Sequence, residues 1–407
     1  MASALEAIAN SDGGDGKSKS DLYLEFLNEA VASGNYQTCS QFVDHVLSEA
    51  VPLVLSRQLL TAFAQSLKQL PPDVQKTAAA YALEKISPRA VSYEEQSAAI
   101  REQLATVYEA QEEWSRAAQA LAGIDLDSGM RVLDPEYKLD KNVKIAMLYL
   151  EDGDAVAAET YIKKASSLLS SCKNEEIELQ YKTCYARVLD SKRRFLEAAT
   201  RYYELSQIGQ RVIGGRMVQE DDLAQALGAA VTCTILSAAG PQRSRVLATL
   251  YKDERTVRLP VFPFLEKVYL ERVLRPEEVA AFAETLAPHQ VALLPDGATV
   301  LERSVMEHNL EAASKLYSNV YIAELAELLG VPIEKAEAAA ARMVLEKRLQ
   351  GTIDQVDGLL VFGAAAGPLE QWDRNIEGLC RAADSAVAAA QELGGFENGV
   401  DGGAAVS

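Results

Sequence analysis

An all-α solenoid of helical-hairpin repeats, then a winged-helix subdomain with a small β-wing, then a C-terminal helix: this is the architecture the 407-residue sequence predicts. Three observations lead there. Helical apolar spacing fills most of the chain, a hairpin pattern recurs at about 40 residues, and beyond residue 300 two short apolar runs flank an Asp-Gly dipeptide. Composition agrees, since 48% hydrophobic and 24% charged residues suit a globular chain of two to three domains. Abundant alanine and leucine with only 7% aromatics favour helix over sheet.

Taken in order, residues 1–20 read as a flexible leader, because Asn10 to Ser20 is polar and glycine-rich and has little apolar surface to bury. Leu22, Phe26, Leu27, Ala30 and Val31 then trace one face of a helix, Gly34-Asn35 breaks it, and Phe42, Val43, Val46 and Leu47 mark its antiparallel partner. Comparable hairpins follow. Leu104, Val107 and Tyr108 precede a turn and then Trp114, Ala117, Ala118 and Leu121. Ile145, Leu148 and Tyr149 precede Glu151-Asp152-Gly153-Asp154 and then Ala157, Ala158 and Tyr161. Tyr185, Val188 and Leu189 precede Asp190 to Arg194 and then Phe195, Ala198, Ala199 and Tyr202. Tyr108 to Tyr149 is 41 residues and Tyr149 to Leu189 is 40. Small alanines let paired helices approach while aromatics fill the neighbouring hairpin. One hairpin cannot bury that face alone, so TPR- or HEAT-like stacking over residues 21–300 is expected.

From 301 to 364 the texture changes. A helix over Leu301 to Leu316 ends near Tyr317-Ser318-Asn319; Ile322, Leu325, Leu328 and Leu329 form a short helix that Gly330 terminates in a left-handed conformation. Pro332 suits the first turn of the next helix, which carries Ala336, Ala340, Met343 and Val344. Ile353 and Val356, then Asp357-Gly358, then Leu359 to Phe362 read as a two-stranded wing. Over residues 368–393 Leu369, Trp372, Ile376, Leu379, Ala383 and Val387 form a stripe that needs a partner helix. Residues 394–407 read as a second flexible tail.

Chemistry is scarce. The three histidines (His45, His289, His308) are isolated, and no HExxH, HxH, GxGxxG, P-loop or GxSxG pattern occurs, so no catalytic residue, metal ligand or cofactor site is expected. The five cysteines lack CxxC pairing, which fits a reducing intracellular setting. No run of about 18 apolar residues or secretory leader is found. With 59 acidic against 40 basic residues the net charge is −19, which disfavours phosphate-rich partners and anionic membranes. The helix at 333–350, the one that would enter a DNA groove, carries only +1 (Lys335, Arg342, Lys347 and Arg348 against Glu334, Glu337 and Glu346). Lys192-Arg193-Arg194 fits a solvated turn better than a phosphate-binding patch, and the basic stretch 243–258 fits either a docking surface or solvated helix ends.

Helical repeats, a winged helix and a final helix together resemble PCI-domain proteins, the scaffold subunits of the proteasome lid, the COP-9 signalosome and an initiation-factor complex. Ser314-Lys315-Leu316-Tyr317-Ser318-Asn319-Val320, Lys335-Ala336-Glu337, Met343-Val344 and Gly351 to Gly358 look like the winged-helix segment of a signalosome member. Asn142 to Ala146, Leu148 to Asp152, Cys184 to Asp190, Gln242 to Leu250, and Trp372-Asp373 with Ile376 and Leu379-Cys380 resemble it as well, over roughly residues 21–390. The resemblance implies a PCI module at about 195–364 and a non-catalytic role in the cytoplasm and nucleus. There the chain would assemble with other PCI subunits and position the metalloprotease-fold pair that removes a ubiquitin-like modifier from cullins. Cullin–RING ligases would be contacted through the N-terminal repeats. An equivalent subunit of the proteasome lid or of a translation initiation complex is the alternative. The alanines after Ala382 depart from the bulkier residues expected in the family.

The candidate interface residues are Leu359, Val361 and Phe362, expected to pair at a sheet edge, and Leu369, Trp372, Ile376 and Leu379, expected to enter a helical bundle. At roughly 25 cal/mol per Å², one buried Trp and two large aliphatics contribute several kcal/mol, which makes Trp372 the natural anchor.

Overall fold

The computed structural model describes residues 19–127, 133–209, 212–213, 216–217, 219–293, 297–363 and 368–392, and the chain divides into two compact units, Met1–Thr234 and Ile235–Ser407. Of the leader expected over 1–20, residues 1–18 lie outside the described residues, while Lys19 and Ser20 open the first helix; the tail expected over 394–407 lies outside them entirely.

The first unit is a succession of antiparallel helices: α1 (Lys19–Ser33), α2 (Tyr36–Val46), α3 (Leu53–Ser66), α4 (Pro72–Ile86), α5 (Glu94–Ala110), α6 (Trp114–Ala122), α7 (Pro135–Asp152), α8 (Ala155–Leu168), α9 (Glu175–Ser191) and α10 (Phe195–Ser206). A two-residue ribbon, β1 (Val212–Ile213) against β2 (Arg216–Met217), precedes α11 (Glu220–Leu236), whose last two residues open the second unit. Capping is local and legible: the side chains of Asn35, Asp134, Asp154 and Asn174 accept from backbone N–H groups in the first turns of α2, α7, α8 and α9.

The repeat is a backbone fact as well as a sequence pattern. Glu112, Gly153 and Arg193, 41 and 40 residues apart, each adopt a positive φ (59°, 88° and 61°). After each, the next N–H returns to a carbonyl five residues back: Glu113 to Tyr108, Asp154 to Tyr149 and Arg194 to Leu189. That is the reversal closing a Schellman-type C-cap, and it folds each following helix back onto its predecessor. The alanines do what their size allows: Ala117, Ala118, Ala158, Ala198 and Ala199 are fully buried where paired helices touch. Phe42 stacks with Phe26 (ring centroids 6.2 Å) and meets Phe63 at a tilt (6.3 Å) at the N-terminal end, and Tyr149 stacks on Tyr161 at 5.8 Å further along. Polar rungs join successive repeats at the surface: Lys76 with Glu113 (2.8 Å), Lys144 with Glu109 (3.0 Å), Arg187 with Glu151 (2.8 Å), and Lys192 with Glu159. Solvent screens such pairs, so each contributes at most about 1 kcal/mol, and the apolar seams carry the stability.

The second unit contains α12 (Pro241–Lys252), α13 (Phe262–Tyr269), α14 (Pro276–Ala283), α15 (Pro288–Val291), α16 (Val300–Leu316), β3 (Asn319–Tyr321), α17 (Ile322–Leu329), α18 (Ile333–Leu345), β4 (Gly351–Asp354), β5 (Leu359–Phe362) and α19 (Pro368–Glu392). Thr299 and Glu302 close a capping box at the start of α16. Gly330 ends α17 with φ +66°, as its position implies. The winged-helix core is Leu310, Ala313, Val320, Leu325, Ala340, Met343, Leu349, Leu360 and Phe362.

Two expectations change here. The wing has three strands, because Asn319–Tyr321, just beyond the expected helix end near Tyr317-Ser318-Asn319 and not expected as a strand from the sequence, pairs antiparallel with β5. The sheet order is β3-β5-β4, so Leu359–Phe362 is the central strand and both its edges are already paired. It cannot pair with a neighbour edge to edge; the free edges belong to β3 and β4. Gly351 is required at the root of β4, where a Cβ would lie 2.6 Å from the Val361 carbonyl oxygen.

Candidate protein interface

Helix α19 runs for 25 residues, and every described side chain on it is exposed. Trp372 (64%), Ile376 (41%), Leu379 (74%) and Val387 (53%) keep their apolar surface in solvent, with exposed Ala383 between them. Leu369 belongs to the helix, but its side chain lies outside the described ones. The opposite face is polar and carries an i,i+4 pair of Glu377 with Arg381. An amphipathic helix normally derives its stability from burial of the apolar stripe. Here nothing among the described residues covers it.

The sheet offers a second surface. Leu360 and Phe362 point into the core, Val361 lies on the open face at 39% exposure, and Leu359 is half-buried. The expected group 359, 361 and 362 is therefore split by the two-residue period of a strand, with Phe362 serving mainly as core. Between the end of β3, the first turns of α17 and α18 and the β4–β5 turn, a cavity of about 490 Å³ is lined by Tyr321, Glu324, Ile333, Glu337, Gln355 and Asp357. Tyr321, Ile333 and the wing-tip Val356 are exposed. Three carboxylates stand where a DNA-binding winged helix would present cations, which argues against nucleic acid. At the tip, Asp354 accepts from the N–H groups of Val356 and Asp357, and Gly358 takes φ +62°.

Elsewhere, burial governs the titratable side chains. Burial pushes the Cys184 thiol up to about 12 and also raises Cys233 and Cys39, the reverse of what a nucleophilic thiolate needs. His308 is buried and held near 4 by burial and by the Arg243 charge, with Nε2 3.0 Å from the Arg272 carbonyl oxygen. His45 Nε2 lies 3.1 Å from the Tyr23 hydroxyl. Among the described residues no group of three or more His, Cys, Asp or Glu is arranged to hold a metal, and no helix is long and apolar enough to cross a membrane.

The basic stretches resolve differently. Lys192 and Arg194 pair with Glu159 and Glu197 around the repeat turn. In the stretch 243–258, Arg243 is buried, bonds the Ile235 carbonyl oxygen at 3.1 Å, and is lowered to about 10 by burial; Arg255 pairs with Asp253 at 2.6 Å. Arg243 is thus a core residue, so it cannot belong to a docking surface. Reasoning from the sequence missed a buried polar row on α16: Ser304, Glu307, His308 and Asn309. Ser304 donates to the Ile235 carbonyl oxygen at 2.5 Å, and Asn309 bonds both the N–H (2.8 Å) and the carbonyl oxygen (3.2 Å) of Leu274.

Comparison with known proteins matches residues 3–213 to the family described as PSMD12/CSN4, N-terminal, and residues 286–364 to the PCI domain. COP9 signalosome complex subunit 4 of Arabidopsis thaliana is 55% identical over 378 residues, covering 93% of this chain and 95% of that protein. The proteins of the same name from Dictyostelium discoideum and Drosophila melanogaster are 48% and 43% identical, covering 90% and 92% of this chain and 91% of each relative.

Proposed function

This chain belongs to the COP9 signalosome subunit 4 family, and from that premise we propose that it is a non-catalytic scaffold whose last helix and winged-helix sheet bind it to the other subunits. The observation that carries the reading is the uncovered stripe of α19, since a stable subunit leaves Trp372, Ile376 and Leu379 in water only where a partner removes them from it. By its spacing in the sequence, Leu369 is assigned to the same stripe. Leu359 and Val361, together with the free edges of β3 and β4, form the second contact, with Phe362 supporting the strand from the core side.

Binding here does mechanical work. Helices from several subunits form a bundle around the stripe, and PCI sheets line up beside one another. The metalloprotease-fold pair that removes the ubiquitin-like modifier from cullins is thereby held in place, while the N-terminal repeats meet the cullin–RING ligase. The net charge of −19 complements basic surfaces on such partners. The family supports work in cytoplasm and nucleus, checked by fractionation. Within the chain, the leader and tail flank a repeat region to about residue 300, a winged helix to 364 and a bundle helix to 393.

Reconstitution tests the reading. The isolated full-length chain is expected to leave a modified cullin intact, and a complex assembled without it to lose modifier removal, which returns when the chain is added back. Turnover by the chain alone, or undiminished activity without it, would overturn the proposal. Mass spectrometry of native partners separates a signalosome subunit from one of the proteasome lid or an initiation complex.

A further inference from the structure

We infer that Glu307 and Arg348 form a latch that fixes the root of the β4 edge to helix α16, and so positions the sheet for a partner. Arg348 follows α18 by three residues and precedes β4 by three. Lys347 takes φ +57°, and the Arg348 N–H returns to the Met343 carbonyl oxygen at 2.9 Å, turning the guanidinium back toward the interior. Its two terminal nitrogens meet Glu307 as a fork, Nη1 to Oε2 at 2.5 Å and Nη2 to Oε1 at 3.0 Å. The same guanidinium reaches Glu346 at 2.7 Å and the Ala239 carbonyl oxygen at 3.4 Å. On the carboxylate side, Arg303 Nε adds a bond of 3.1 Å. Burial opposes charge on Glu307, yet the bonds and charges of Arg348 and Arg303 outweigh it and hold the carboxyl below its ordinary value.

The site is deep enough for this to matter: the Glu307 side chain is 3% exposed and that of Arg348 is 16%. A bidentate pair at such a site fixes orientation as well as distance, which a lysine cannot reproduce. Its place on α16 gives it consequence. One turn away, Ser304 holds the end of α11, and the neighbouring His308 and Asn309 hold the segment 272–274. The strand root beyond α18 joins the same row through Arg348, beside the backbone bond from the Leu349 N–H to the Met343 carbonyl oxygen at 3.1 Å. An edge strand docks a neighbour only if its backbone groups stay in register with the scaffold behind them. The docking consequence rests on the function proposed above; the latch itself does not.

Hydrogen–deuterium exchange on the full-length chain tests it, comparing Arg348→Gln, Arg348→Lys and Glu307→Gln with the parent. Local opening is expected to rise at least about tenfold in peptides from residue 346 to 362, less for Arg348→Lys, with the repeats before residue 234 unchanged. Unchanged exchange, or an equal rise throughout residues 235–363, would overturn the latch. Should Arg348→Gln fail to fold, Arg348→Lys retains the charge and decides the question by the same pattern. Capture of purified partner subunits is the second readout. A localised rise in exchange with undiminished capture would sink the docking role of the β4 edge while leaving the latch standing.

Discussion

The hairpins of the first unit and helix α19 share one sequence texture and meet opposite fates. Both carry alanine, an aromatic and large aliphatics at helical spacing. In the hairpins those residues are core: Ala117, Ala118, Ala198, Ala199 and Leu121 are buried. In α19 the equivalent stripe of Trp372, Ile376, Leu379 and Ala383 faces solvent. Periodicity states that a face needs covering, but it does not state by what. For the hairpins the cover lies one repeat along the chain; for α19 no described residue supplies it, and in the function proposed above it lies on another molecule, so the difference separates stability from assembly.

The comparison breaks most easily at the core. Phe63, fully buried and 6.3 Å from the Phe42 ring, is expected to cost about 3–5 kcal/mol as Phe63→Ala, read by thermal or urea unfolding. A loss below 1 kcal/mol would mean that the hairpin seams are as expendable as the exposed stripe.

Acid sharpens the contrast between surface rungs and the buried row on α16. His308 is neutral when folded, so the unfolded chain takes up its proton first. Stability contributed by its neutrality is present above pH 6.5 and falls as pH drops toward about 4, by on the order of 3 kcal/mol. Glu307, held below its ordinary value, works in the same direction at lower pH: its contribution is present above the ordinary carboxylate range and is lost as pH falls through the depressed value. His308→Gln should flatten the pH 6.5 to 4 slope of unfolding; an unaltered slope contradicts the assignment.

Smaller effects probe the equivalence of the repeats. Gly153 has open space around it and φ +88°, so Gly153→Ala should cost about 1 kcal/mol through the backbone alone. Glu112→Gly and Arg193→Gly, at matching turns, should instead be neutral or stabilising by a few tenths to about 1 kcal/mol in chemical denaturation. Smallest of all, Arg187→Ala removes the half-exposed rung to Glu151 and should change stability by less than about 1 kcal/mol, less still at high salt.

What the sequence made legible follows from where its information sits. The hairpins could be counted because their turns repeat: Tyr108, Tyr149 and Leu189 mark the same backbone position, and the positive-φ residues after them keep the period. Gly330 and Asp357-Gly358 announced the winged helix through local backbone demands. Strand β3 escaped notice because three residues give no period, and its partner lies 40 residues away in β5. That omission misplaced Leu359–Phe362 at an edge. The row Ser304, Glu307, His308 and Asn309 could not be picked out from the helical spacing because its partners, at 235, 348, 272 and 274 respectively, are distant in sequence. The stripe of α19 was legible as a stripe; only its exposure separates it from a buried helix.

The central claim is that the stripe of α19 serves assembly and not folding. Its direct measurement pairs thermal unfolding with co-purification for Trp372→Ala combined with Ile376→Ala. The account predicts stability within about 0.5 kcal/mol of the parent and marked loss of the other signalosome subunits from pull-down and size-exclusion fractions. Unchanged assembly, or assembly lost only together with folding, would contradict it.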